Sequence, residues 1–202
     1  MLNAFPPASL AILAVNIALG LYGLFGSPQL IEKLLFRPFE FARGRNRYTV
    51  LTSGFVHADL PHLVFNMITF WFFGIPLERR IGTPLFVLLY VAALLLSQLG
   101  TYRKHRDDPQ YATLGASGAI AAVLFAAIVY FPTQSLFILP IPFPIPAPLF
   151  AVGYLAYSWW SARQNRGRIN HDAHLGGALF GLAFVALTDP AALRRALELL
   201  SR

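Results

Sequence analysis

The sequence predicts an all-α polytopic membrane protein, and three observations carry that prediction. Only 12% of the residues are charged, against roughly 25% in an ordinary soluble domain, and 56% are hydrophobic. The apolar residues gather in six runs with polar connections between them, and mean hydropathy is +0.57. The net charge of +7 comes from basic residues placed in the gaps between those runs. That placement reads as membrane-flanking charge, so the expected partner is the lipid bilayer and no nucleic acid is expected. With no cysteine, neither a disulfide framework nor a thiolate metal site can form. The length of 202 residues fits one membrane domain, 1–202.

Taken in order, the six expected spans cover about 8–25, 60–75, 84–100, 114–131, 147–160 and 173–187. The first has no basic segment or cleavage site before it and reads as a retained helix. A spanning helix needs about 20 residues, so the shorter runs must extend into their flanks or sit where the bilayer thins. The first connection, Gly26 to Asp59, is the one long loop. It mixes Phe36, Phe39, Phe41, Tyr48 and Phe55 with Lys33, Arg37, Arg43, Arg45 and Arg47. Such a mixture suits a folded segment in the interface, rings inward and charges to water, and loops this long are usually functional. Between the fourth and fifth spans, the alternating prolines from Leu139 to Pro148 exclude helix and favour an extended run. Asp189-Pro190 makes an N-cap and first-turn pair. It opens an amphipathic helix, about 190–202, with Leu193, Leu197 and Leu200 on one face.

Polar residues in apolar spans are costly, and three clusters need a reason. His62 and Asn66 are spaced i, i+4, so both lie on one face at the start of the second span. Gly115-Ala116-Ser117-Gly118 opens the fourth. His171-Asp172-Ala173-His174 opens the sixth, with Gly177 and Gly181 following. A serine in the first helical turn sits beside unpaired N–H groups and the positive dipole end, where an oxyanion can be held. Alone, a Ser-Gly at a helix start reads as a cap. It becomes a nucleophile only if a base lies within about 2.6–3.2 Å. Ala173, Gly177 and Gly181 recur every four residues, as do Gly118, Ala122 and Ala126, and small-xxx-small faces permit close helix crossing. His174 borders that seam. His62 and Asn66 can donate to an oxyanion beside the Ser117 N–H. Spans two, four and six enter from the same side, so the three clusters share one depth. Asp172 is two residues from His174 and faces elsewhere, which gives a Ser–His dyad rather than a triad. His171 and His174 could bind a metal, but no carboxylate lies well inside a span to support them, so neither metal nor cofactor is expected.

At Gly115-x-Ser117-Gly118, His62-x-x-x-Asn66 and Ala173-His174-x-x-Gly177-x-x-x-Gly181, the sequence resembles the rhomboid family of intramembrane serine proteases. Glu78-Arg79-Arg80-Ile81-Gly82 resembles that family's Glu-Arg-x-x-Gly motif. The resemblance covers nearly the whole chain, in the family's form with a bundle of six transmembrane helices. It implies a serine endopeptidase: Ser117 attacks the peptide bond, His174 acts as base and then acid, and His62, Asn66 and the Ser117 N–H form the oxyanion hole. Gly115, Gly118, Gly177 and Gly181 support them. The implied partners are transmembrane protein substrates, cut where a segment can unwind near a membrane boundary. The family's fifth helix acts as a gate, which points to the Trp159-Trp160 end of the fifth span.

Two positions depart from the family pattern. Members often carry an aromatic residue four after the serine, stacked on the histidine, and here that position is Ala121. Tyr48-Thr49 stands where a Trp-Arg pair is usual in the first loop. The resemblance implies a multi-pass protein of a bacterial inner (cell) membrane with the site opening extracytoplasmically. Charge points the other way, since loops on the active face hold eleven Lys and Arg against five on the opposite face. Two rival readings make different demands on the sequence. An inactive rhomboid-like client binder should lack Ser117 or His174. A channel or transporter should line a pathway with ionisable residues, and few exist beyond the site histidines. There is also no His-Glu-x-x-His and no pair of mid-span aspartates.

Overall fold

The structure, a computed structural model, describes residues 5–137, 142–164 and 169–201. Helix α1 (Pro7–Leu21) starts with proline at its first turn and runs on through a π turn, Tyr22–Gly26. It has no side-chain cap of its own. Glu78, far along the chain, supplies one: its carboxylate accepts from the Ala8 and Ser9 N–H groups at 3.0 and 2.6 Å and from Thr83 Oγ1 at 2.8 Å. An anion at a helix N-terminus answers both the orphan donors and the dipole. The Glu-Arg-x-x-Gly motif therefore has a structural purpose, and its glycine, Gly82, ends a helix at φ +83°.

The long first loop folds as short helices α2 (Pro28–Leu34), α3 (Pro38–Ala42) and α4 (Thr49–Thr52), followed by a 3-10 turn, Ser53–Phe55. The expected inward placement of its rings holds in part: Phe39, Phe41 and Phe55 are half-buried, while Tyr48 is exposed. Phe36 is fully buried, and its backbone pairs with Thr113 through bonds of 2.8 and 2.9 Å. Arg43, Arg45 and Arg47 are exposed.

Helix α5 (Leu60–Ile81) is capped by Asp59 and continues beyond the expected end at 75, despite Pro76. Helices α6 (Thr83–Leu96) and α7 (Leu99–His105) are nearly continuous, so the third span also outruns its expected end at 100. By length and composition, three described helical stretches can each cross a bilayer alone: Pro7–Gly26, Leu60–Ile81 and Thr83–His105. Helix α8 (Ser117–Tyr130) has only 14 residues. At about 1.5 Å per residue it is shorter than a hydrocarbon core of about 30 Å. It need not be longer, because every residue from Gly118 to Val129 is buried by protein.

Of the proline-rich run, 139–141 lie outside the described residues. Strands β1 (Ser135–Leu136) and β2 (Ile145–Pro146) pair antiparallel, with Ser135 opposite Pro146 and Leu136 opposite Ile145. Helix α9 (Ala147–Gln164) follows at once, then α10 (His171–Thr188) and α11 (Pro190–Leu200), the last bent by 110° from α10. In α11 the fully buried residues are Ala192 and Ala196, with Leu193 partly buried, while Leu197 and Leu200 stay at least half exposed. The expected leucine face is thus split between the bundle and the surroundings.

The main core joins α5, α6, α8 and α10 around Phe70, Phe86 and Tyr90. A second cluster under α9 gathers Leu124, Phe125, Ile128, Leu136 and Ala178.

Candidate active site

The site forms where α5, α8 and α10 begin. Two glycines bring α8 and α10 together: a Cβ on Gly177 would overlap the Gly118 carbonyl oxygen, and one on Gly181 would overlap that of Ala122. At backbone contact, two short side chains can meet. Ser117 Oγ and His174 Nε2 lie 2.7 Å apart. Ser117 is the first residue of α8 and its side chain makes no cap bond; the N-cap position belongs to Ala116.

The approach to Ser117 is set by Gly115, at φ +109°, whose N–H donates to Ser53 O at 2.8 Å. A Cβ there would come within 2.6 Å of the His62 ring, so only glycine lets that imidazole lie against the loop. One turn along α5, Asn66 is buried, and among the described residues its Nδ2 has no hydrogen-bond partner. A buried amide donor without an acceptor is costly and suggests a group that binds something transient. His62 thus lies against the loop leading into Ser117, with Asn66 one turn further along α5, and Ser117 meets His174.

The start of α10 is pinned from three directions. Asn170 accepts from the Ala173 N–H and from Thr101 Oγ1, each at 3.0 Å, and donates to Thr113 Oγ1 at 3.0 Å. Asp172 meets Lys104 Nζ at 3.0 Å, which engages it away from His174. Lys104 also donates to the Ala162 carbonyl of α9.

Two neighbours of the site had no role in the sequence reading, although His57 opens the polar cluster that runs to Asn66. His57 is wholly buried and edge-on to His62, with centroids 5.1 Å apart. Burial, and then the neighbouring His62, lower its pKa to about 4, so it stands as a neutral wall behind His62. Tyr154 of α9 stacks on His174. The available signal was the matched spacing of Tyr154 and Tyr157 with His171 and His174, both i, i+3.

Fold and site define a helical polytopic membrane protein with a serine–histidine pair at the start of its central helix. The family comparison agrees: the rhomboid domain family matches residues 44–190, and the chain belongs to the rhomboid family. It is similar to RHOMBOID-like protein 12, mitochondrial, of Arabidopsis thaliana, at 28% identity over 78% of this chain and 51% of that protein. It is 30% identical to Rhomboid protein 1, mitochondrial, of Saccharomyces cerevisiae, over 86% of this chain and 51% of that one. With the human presenilin-associated rhomboid-like protein, mitochondrial, it shares 33% identity over 67% of this chain and 36% of the relative. The chain spans about half the length, or less, of these curated relatives. They also correct the expected localisation. All three are mitochondrial proteins of eukaryotes, which overturns the placement in a bacterial inner membrane. Composition and charge carry no information that separates those two membranes.

Proposed function

We propose that this chain is an intramembrane serine endopeptidase acting on transmembrane protein substrates, with Ser117 as nucleophile and His174 as base. The observation that carries the reading is the 2.7 Å contact between Ser117 Oγ and His174 Nε2 across a seam that only glycine permits. The imidazole takes the hydroxyl proton as Oγ adds to the scissile carbonyl carbon. The oxygen that gains charge is received by the Ser117 N–H, His62 and the Asn66 amide, whose unpartnered Nδ2 supports this role. Collapse breaks the C–N bond, and His174 returns the proton to the leaving amine. Water, deprotonated by the same imidazole, then releases the acyl group. These steps need two protonation states of one histidine and no metal or cofactor. A helical substrate presents carbonyls that are already hydrogen-bonded within the helix, so the segment cut must first unwind, which favours small or helix-breaking residues near a membrane boundary.

The test uses detergent-purified protein and a single-span substrate carrying such residues. Wild type should cleave it, and Ser117→Ala and His174→Ala should each lose about 10⁴-fold or more. Cleavage that persists in Ser117→Ala removes the serine mechanism.

A further inference from the structure

Position 121 lies one turn after Ser117 on the same face of α8, and its alanine offers no ring to the base. A ring reaches His174 from elsewhere. Tyr154, near the middle of α9, lies against the imidazole with centroids 6.3 Å apart and planes 18° from parallel. The same ring contacts Phe125 at 5.4 Å and Phe150 at 5.5 Å. Phe125 is four residues past Ala121, so the small side chain at 121 leaves room between Ser117 and Phe125. One turn along α9, Tyr157 meets His171 edge-on at 5.4 Å, and His171 meets His174 edge-on at 5.9 Å. Two tyrosines on α9 therefore face two histidines on α10, rung against rung.

We infer that Tyr154 is a positioning residue for His174, supplied by α9, so that the base is aligned with Ser117 only while α9 is seated. This rests on the reading of Ser117 and His174 as the reacting pair. The physical reason is the softness of the histidine χ2 torsion, which has broad rather than staggered wells. Rotation about that bond swings Nε2 away from Oγ. Planar walls limit it: Tyr154 lies beside the ring, nearly parallel to it, and His171 meets it edge-on. The ring of Tyr154 makes this contact, while its hydroxyl is engaged by Ser158, one turn further along α9. Helix α9 is the element best able to carry a movable wall. Only Ala147, Ser158 and Ser161 of its residues are buried, and it packs on a cluster apart from the main core. When α9 shifts to admit a substrate, the wall leaves; when α9 reseats, the base is aligned again.

The experiment compares wild type with Tyr154→Phe, Tyr154→Leu and Tyr154→Met. It measures kcat and KM on a single-span substrate, the rate of fluorophosphonate labelling, and the melting temperature. Tyr154→Phe keeps the ring and should stay within about threefold of wild type. Tyr154→Leu should lose about 10- to 100-fold in kcat, with KM within about twofold and labelling slowed in parallel, as for a misplaced catalytic group. Tyr154→Met keeps bulk without a planar face and gives the same reading if the leucine variant does not fold. Wild-type kcat in the leucine and methionine variants overturns the inference, as does a loss confined to KM or a phenylalanine variant as impaired as leucine. Failure of wild type itself to cleave or be labelled instead overturns the serine–histidine reading beneath it.

Discussion

Helices α8 and α9 both touch His174, and they are built in opposite ways. In α8, twelve of fourteen residues are buried, and its backbone lies against that of α10 through Gly118 and Ala122. In α9 only three of eighteen are buried; Leu149 and Val152 are about two-thirds exposed, and Gly153 has no neighbour within 4 Å of where a Cβ would sit. Helix α8 contributes the serine from a closely packed backbone, and helix α9 contributes a ring from a sparsely packed one. The contrast sets a tightly packed Ser117 against a sparsely packed helix beside His174.

The largest expected effect breaks the closely packed half. Gly177→Leu places a side chain where the Gly118 carbonyl lies, so α8 and α10 must separate. It should abolish activity and lower stability by about 3 kcal/mol or more, seen as a drop in melting temperature in detergent. Gly153→Leu in α9, of the same chemistry, should leave both nearly unchanged. If the two substitutions cost the same, the contrast is wrong.

Next comes the frame around α8. Glu78→Ala leaves the Ala8 and Ser9 N–H groups and Thr83 Oγ1 without their acceptor. About 3 kcal/mol of stability should be lost, and thermal unfolding measures it directly. A third, smaller effect concerns the hold on α9. Lys104→Gln removes the ion pair with Asp172 and weakens the tie to Ala162. The pair is partly exposed, with side-chain accessibilities of 28% and 23%, so stability should fall by about 1 kcal/mol at most. Access of a single-span substrate should improve, with KM lower by about two- to fivefold, while kcat and fluorophosphonate labelling fall by up to about twofold, because His174 is aligned only while α9 is seated. An unchanged KM would mean that α9 does not restrict access. The smallest effect is Gly153→Ala, which should be neutral or stabilising by up to about 1 kcal/mol through helix propensity alone.

The same contrast explains what could be read from the residues. The seam was legible because small residues at i, i+4 on two helices state their own geometry, and the polar clusters stood out against apolar runs. Asp189-Pro190 fixed the start of α11 through local capping chemistry. The ends of α5 and α7 were not legible: Glu78-Arg79-Arg80 and Arg103-Lys104 look like the edge of a span, yet the helices run through them to Ile81 and His105, with Glu78 and Lys104 engaged by distant partners. Ala121 was visible as a missing ring. That Tyr154 lies beside His174 was not, because this ring comes from another helix and depends on how α9 docks. Nor could charge counting name the membrane, since basic residues in the first loop fold against Phe39 and Glu40 rather than simply marking a side.

The account rests on Ser117 being made reactive by His174. Treatment with a fluorophosphonate, followed by mass spectrometry of the digested protein, addresses it most directly. The account predicts one adduct, on the peptide containing Ser117, absent in Ser117→Ala and slowed by about 10²-fold or more in His174→Ala. An adduct on another serine, or equal labelling of the His174→Ala variant, would contradict it.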